Sequence, residues 1–250
     1  MKSFYKFLSS RLEFGETLDI DRKPVFRSSA IFPAIQNNFY TTNIMFLGYW
    51  LIKRKIREIT ILITLRSKEG KIISRNTLLV NSPKSYSIEL NSLLQNTINK
   101  NSEFFGSIEL EIFSTQDMIF PYPALVLQYY GENFNTCVHT LGRIYNDFED
   151  LNENEVFRVP ESGFDISCND DLQPFISFVN GPIINKNAIL NYTITNHKSE
   201  KFNGSFNVGE IQPYETMLLK LKENIPNLDQ MLKNKPGSIT LEHNLEGFFP

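Results

Sequence analysis

The chain has 250 residues, of which 41% are hydrophobic and 21% are charged, as in ordinary soluble globular proteins. Its 25 basic and 28 acidic residues give a formal net charge of −3, which argues against nucleic acid as the main partner because phosphate binding needs a basic face. Lys6, Arg11 and Glu13 interrupt the apolar residues near the N-terminus. The sequence therefore predicts no signal peptide and no membrane span, and it favours a cytoplasmic location.

The first 30 residues form an N-terminal extension that has no counterpart elsewhere in the chain. Apolar side chains recur here at helical spacing and predict a short amphipathic helix built on Phe4, Phe7, Leu8 and Leu12. After Pro24 the pattern becomes extended.

Short strand patterns fill the next segment, residues 31–152. The β-branched run at 58–65 and the apolar residues of 71–80 flank a turn, which predicts a hairpin. Residues 105–113 alternate between apolar and polar side chains with the period of a strand. Residues 124–130 and 136–145 predict a last hairpin.

An acidic stretch at 146–155 has no periodicity and predicts a linker between two domains. Strand patterns then return through residues 153–250. They comprise a predicted hairpin at 188–195 and 202–208, followed by strands at 216–221 and 237–242. A short helical segment is expected at 226–232.

The second half repeats the first. The segment GSIELE at 106–111 returns as GSITLE at 237–242, 131 residues later. Pro83 and Leu90 return as Pro213 and Leu221, and the dipeptide at 63–64 returns at 194–195. A repeat of this length indicates a duplicated domain and is too long for a solenoid unit.

These patterns predict an all-β fold. They indicate two tandem antiparallel β-sandwich domains related by internal duplication, with short helical turns between strands. The expected organisation is an extension at 1–30, one domain at 31–152 and a second at 153–250. The second domain lacks a counterpart of the last hairpin, so we expect either a chain cut short or an open sheet edge that needs cover.

Motifs for catalysis and cofactor binding are mostly missing. The sequence has no glycine-rich phosphate loop, no GxSxG elbow and no Cys or His pairs at metal spacing, so it predicts no cofactor and no metal. Two cysteines, Cys137 and Cys168, cannot form a disulfide framework. Two buried free thiols are favoured over a bridge between them.

The densest set of chemically reactive side chains lies at 137–143. On a strand, Cys137 and His139 share a face, where they could hold a metal or a nucleophile, although a buried thiol and a hydrogen-bonded histidine are commoner. Arg143 precedes several acidic residues and predicts either a salt bridge or a clamp for a carboxylate. His139 and Arg143 are thus candidate ligand-binding residues.

Acidic residues occur in two further places. Glu109 and Glu111 share one face of a strand, where they could act as an acid–base pair, but a solvent-facing strand is the commoner arrangement. The segment at 168–171 resembles a turn more than a cation site, because it lacks the spacing of calcium loops.

Aromatic pairs supply the remaining candidates. Adjacent residues on a strand point to opposite faces, so one residue of Tyr49 and Trp50, and one of Tyr129 and Tyr130, should face outward. Tyr130, Tyr49 and Trp50 are therefore candidates for a sugar-binding or dimer surface.

Three functional hypotheses follow. The first is a non-catalytic binding or assembly module with carbohydrate as its candidate ligand. The second is a carbohydrate-active enzyme with a site around His139 and Arg143. The third is a structural subunit of a homo-oligomer, for which a homodimer is the simplest form.

Overall fold

The computed structural model describes residues 25–94, 103–116, 118, 124–140, 143–144, 161–245 and 248–249. Almost all regular structure in these ranges is antiparallel strand, so the prediction of an all-β fold is confirmed. The helix predicted within residues 1–12 and the linker predicted at 146–155 lie outside the described residues.

Sixteen strands and four short helices occur in the described part of the chain. The strands are β1 (Phe26–Gln36), β2 (Thr41–Leu47), β3 (Ile59–Ser67), β4 (Ile72–Val80), β5 (Ser85–Glu89), β6 (Phe104–Ser114), β7 (Leu125–Tyr130), β8 (Asn135–Thr140), β9 (Arg143–Ile144), β10 (Glu161–Ile166), β11 (Phe175–Val179), β12 (Asn185–Thr195), β13 (Lys201–Ile211), β14 (Thr216–Lys220), β15 (Gly237–His243) and β16 (Phe248–Phe249). The helices are α1 (Tyr49–Lys53), α2 (Leu90–Leu94), α3 (Leu221–Asn224) and α4 (Leu228–Leu232).

The strands form four main sheets. Sheet I has the order β1-β6-β3-β4, and sheet II has the order β5-β2-β7-β8. Sheet III has the order β10-β15-β12-β13, and sheet IV is the pair β11-β14. The predicted strand at 136–145 is two strands, because β8 ends at Thr140 and β9 pairs with β16 instead.

One apolar cluster contains residues from both sheet I and sheet II. Phe32, Ile108 and Leu65 are neighbours across sheet I, and each is buried. Ile44 and Leu127 are neighbours across sheet II and belong to the same cluster. Alternation along each strand places these side chains on one face, as the period-two patterns predict.

The other face of sheet I is also buried, because sheet IV covers it. Ile31 of β1 packs with Val179 of β11 and with Tyr214, and the backbone N–H of Thr216 donates to the carbonyl of Lys68 at 2.8 Å. Phe175 and Leu218 of sheet IV pack against the apolar cluster of sheets I and II. We call this contact between sheet I and sheet IV the seam.

Glu109 and Glu111 lie in the seam, so the prediction that they face solvent is wrong. They are 2% and 9% exposed. Arg66 donates to Oε2 of Glu109 through Nη2 at 2.6 Å and through Nε at 3.2 Å, while Arg27 pairs with Glu111. The alternating pattern identified the two faces of β6, but it could not show that a second sheet covers the polar one.

A second apolar cluster joins sheets III and IV. It includes Leu190 and Ile239 of sheet III, Ile176 of sheet IV, and Leu221 and Leu232 of the two helices that follow β14. Ile176 and its neighbours therefore point away from the seam, while Phe175 and Val179 point into it. No helix in the described ranges is long and apolar enough to cross a membrane.

Candidate functional site

The face of sheet II that points away from the apolar cluster carries several polar side chains, two of which the sequence predicted as ligand-binding residues. Leu125, Leu127 and Tyr129 of β7 are buried, whereas Gln128 and Tyr130 point to the opposite face. Strand pairing places Asn43 and Cys137 on either side of Gln128. We call this surface the sheet II outer face.

A row of hydrogen bonds crosses this face from strand to strand. The Ser87 hydroxyl donates to Asn43 Oδ1 at 2.7 Å, and Asn43 Nδ2 donates to Gln128 Oε1 at 3.4 Å. Gln128 Nε2 then donates to Asn135 Oδ1 at 3.1 Å. Four side chains from four strands are thus oriented by one another, and the row fixes the direction of each amide group.

Tyr130 lies beside this row. It pairs with Thr41 on one side and with Asn135 on the other, and it is half-buried. Burial raises the pKa of Tyr130, and the negative charge of Glu89 raises it further. The phenol therefore stays neutral around pH 7, where it can both donate and accept a hydrogen bond.

His139 and Cys137 lie on the same face at its outer strand, β8. His139 is opposite Val126 and Cys137 is opposite Gln128, and both side chains are exposed. Cys137 and Cys168 are free, but the prediction that both are buried is wrong for Cys137, since only Cys168 is buried. The reason is that β8 is the last strand of sheet II, where fewer neighbours cover it.

Tyr49 and Trp50 lie elsewhere, on helix α1 and not on a strand. Trp50 is only 1% exposed and packs in the apolar cluster of sheets I and II, with its ring centroid 6.1 Å from that of Phe46. Tyr49 is half-buried and stacks on Trp50 with centroids 4.3 Å apart. Strand alternation does not apply to a helix, so these two rings do not lie on opposite faces.

Arg143 is placed by its backbone alone, opposite Phe249 in the β9–β16 pair. Its side chain and the acidic residues that follow it lie outside what the structure describes. The structure thus brings His139 and Tyr130 to one face, whereas Tyr49 and Trp50 lie on α1.

The other polar candidates have structural roles. Within the described ranges no group of three His, Cys, Asp or Glu residues could hold a metal ion. The segment at 168–171 is a turn, as predicted, because Asn169 Oδ1 accepts the N–H groups of Asp171 and Leu172 at 2.9 and 2.7 Å. Burial raises the pKa of the Cys168 thiol, which keeps it protonated and unreactive.

Comparison with known proteins gives no relative. No family model, no curated protein and no solved structure matches this chain.

Sequence reasoning missed Asn43, Gln128, Asn135 and Ser87. The sequence could have predicted Gln128, because it lies two residues before Tyr130 on one strand and so shares its face. The other residues could not be added without knowing that β2 lies between β5 and β7, a pairing of strands that are far apart in sequence.

Proposed function

We propose that this chain is a non-catalytic binding module that holds a carbohydrate on the sheet II outer face. The observation that carries the proposal is the row of one hydroxyl and three oriented amides that crosses the four strands of sheet II. Each amide in the row has a donor or a lone pair that the row does not use. A sugar hydroxyl both donates and accepts, so neighbouring hydroxyls suit such a row.

Tyr130 supports a sugar more than a charged ligand. Its ring lies beside the amides and is half-buried, so it offers an apolar surface for the C–H face of a pyranose and a neutral hydroxyl at its tip. Glu89 lies close enough to raise the pKa of Tyr130, and its charge repels anionic ligands. A neutral polyhydroxylated ligand fits both features.

The shape of the face supports binding without catalysis. It is one side of an open sheet, on which Asn43 is buried, Gln128 and Tyr130 are half-buried, and His139 at the last strand is exposed. General acid–base chemistry works best where water is excluded and a partner group orients the imidazole.

A glycan array probed with the intact 250-residue chain tests the proposal. We expect binding to one class of neutral glycan, and we expect Gln128→Ala and Tyr130→Ala each to weaken it about tenfold, the loss of one good hydrogen bond or stacking contact. Asn203→Ala is the matched control, because Asn203 also bonds a neighbouring side chain, Thr193, on sheet III. Binding that Asn203→Ala weakens, and that Gln128→Ala and Tyr130→Ala leave intact, would refute the assignment.

We also propose that the chain arose by tandem duplication of a β-sandwich, with the boundary between residues 152 and 153. The strand orders support this, because β1-β6-β3-β4 and β10-β15-β12-β13 follow the same sequence of elements. Likewise β5-β2 matches β14-β11, and a short helix follows β5 and β14 directly.

Details of the turns support the same proposal. Asn37 Oδ1 accepts the N–H groups of Phe39 and Tyr40 after β1, as Asn169 does for the two residues of its own turn after β10. The β3–β4 turn and the β12–β13 turn share one pattern of backbone bonds: Ser67 donates to Lys71 as Asn196 donates to Glu200.

A pair of glycines gives the most specific support. A Cβ on Gly106 would lie 2.1 Å from the carbonyl oxygen of Arg66, and a Cβ on Gly237 would lie 2.6 Å from that of Thr195. Leu65 lies opposite Ile108, and Ile194 lies opposite Ile239, the residue that repeats Ile108. In the proposed duplication Leu65 therefore corresponds to Ile194. The sequence repeat at 63–64 and 194–195 is therefore displaced by two residues from the structural one.

A further inference from the structure

Sheets II and IV differ at one edge. In sheet II, β2 is bonded to β5 on one side and to β7 on the other. In the proposed duplication, on which this inference rests, the counterpart of β2 is β11. Strand β11 pairs with β14, and no other described strand pairs with it. The second edge of β11 is therefore open within the part of the chain that the structure describes.

The backbone groups that point to this open edge can be identified. The Asn180 N–H donates to the carbonyl of Glu215 at 2.8 Å, and the carbonyl of Pro174 accepts from the Leu221 N–H at 2.9 Å. Every second residue between Pro174 and Asn180 therefore directs its backbone groups towards β14. The alternate residues Phe175, Ser177 and Val179 point their N–H and C=O groups the other way. These groups form a template for one more strand.

An exposed aromatic side chain marks the same gap. Phe32 of β1 pairs with Ile108, and Phe164 of β10 pairs with Ile239, its counterpart. Phe32 is 0% exposed, whereas Phe164 is 43% exposed. In the first half β7 closes over β1, since the Tyr129 hydroxyl donates to the carbonyl of Pro33 at 3.3 Å. No described strand does the same over β10.

We propose that the open edge of β11 binds an extended strand of a partner protein. The strand runs antiparallel to β11, and its alternate apolar side chains cover Phe164. The chemistry of the strand is read from β7, which fills the corresponding place beside β2 with Leu125, Leu127 and Tyr129 inward and polar or smaller residues outward.

The test uses the full 250-residue chain and a fluorescent peptide with the sequence of residues 124–130 and a lysine tail. Saturable binding is expected by fluorescence anisotropy, together with slower amide hydrogen exchange at Phe175, Ser177 and Val179 and unchanged exchange in β2. A control peptide carrying Leu127→Pro should bind at least about tenfold more weakly, because proline cannot complete the strand pairing.

Two variants of the chain locate the binding edge. Ser177→Pro removes an N–H from the open edge, and Ser177→Ala is its matched control because both lose the hydroxyl that donates to the carbonyl of Met217. We expect Ser177→Pro to bind the peptide about tenfold more weakly than Ser177→Ala. Phe164→Ser, a change at an exposed side chain, should weaken binding by a similar factor and leave folding intact.

Three results would overturn the proposal. The first is no binding of the peptide by the wild-type chain. The second is binding that slows exchange only outside β11. The third is self-association of the chain that the peptide reverses, which would make a second copy the occupant.

Discussion

Sheets I and III have the same order of strands, but one face of sheet I is buried on β6, whereas the matching face of sheet III is partly or fully exposed on β15. On β6 the face carries Glu109 and Glu111, which are buried against sheet IV. On β15 the corresponding residues are Thr240, half-buried, and Glu242, exposed. Arg66, opposite Ser107, completes an ion pair, whereas Thr195, opposite Ser238, has no charge to pair.

This difference shows what the charged residues of the seam do. A carboxylate is stable out of water only beside a partner, and each seam glutamate has an arginine. The ring of Tyr214 covers Arg66 at 4.1 Å from its centroid, so a residue of the second half closes the pair. The free face of sheet III carries short polar side chains, which disfavours stacking of another sheet on it.

The largest effect is expected for Glu109→Ala. It leaves the Arg66 guanidinium buried without its carboxylate, so the free energy of unfolding should fall by about 3–5 kcal/mol. Urea denaturation measures the change. Glu242→Ala, at an exposed site on the equivalent strand, should change stability by less than about 0.5 kcal/mol. Equal effects of the two substitutions would contradict the contrast between the two faces.

A double substitution tests the same buried ion pair. In Arg66→Met with Glu109→Leu both charges are replaced by apolar side chains, so we expect most of the stability lost in Glu109→Ala to return. The comparison by urea denaturation separates the cost of an unpaired buried charge from loss of packing. A double variant as unstable as Glu109→Ala would show that the pair itself holds the seam.

Substitution of the two glycines at matching positions should lower stability by an intermediate amount. Gly106→Ala and Gly237→Ala each force a Cβ against a carbonyl oxygen of the neighbouring strand, so each should cost about 1–3 kcal/mol. Thermal unfolding followed by circular dichroism measures both. Gly163→Ala is the control, because a Cβ there meets nothing within 4 Å. A neutral result at one of the two glycines and not at the other would weaken the proposed duplication.

The smallest effect on stability near pH 7 is expected from the ionisation of Tyr129. The ring of Tyr129 lies 6.1 Å from that of Phe175, at the border of the two halves. Burial raises the pKa of Tyr129 far above its ordinary value of 10.0. The unfolded state therefore loses this proton first as the pH rises past 10. Stability should be intact below pH 10 and fall by about 1.4 kcal/mol per pH unit above it through this group alone.

Tyr129→Phe removes the ionisable group and keeps the ring. Urea denaturation between pH 9 and pH 11 should therefore show a flatter loss of stability in the variant than in the wild-type chain. Parallel curves would mean that Tyr129 ionises alike in the folded and unfolded states.

Local patterns predicted the strands well and their partners poorly. The β-branched run at 58–65 and its turn predicted the β3–β4 hairpin, which the pairing confirms, since strand preference and turn chemistry act over a few residues. Glu109 is buried by sheet IV, whose strands β11 and β14 lie much further along the chain, and the alternation of β6 carries no sign of that contact.

The candidate site, too, was predicted only in part from the sequence. One residue of Tyr129 and Tyr130 was predicted to face outward, and in the structure that residue is Tyr130. Trp50 could not be placed by that reasoning, because α1 replaces the expected strand. The row from Ser87 to Asn135 depends on the order β5-β2-β7-β8, which only the folded sheet provides.

Side-chain amide NMR tests the proposed ligand face most directly. The intact chain, labelled with ¹⁵N, is titrated with the strongest-binding glycan from the array, and the NH₂ signals of Asn43, Gln128 and Asn135 are followed. We expect these signals to shift together with one dissociation constant, while the signal of Asn203 on sheet III stays unchanged. Shifts confined to sheet III, or no glycan bound at all, would contradict it.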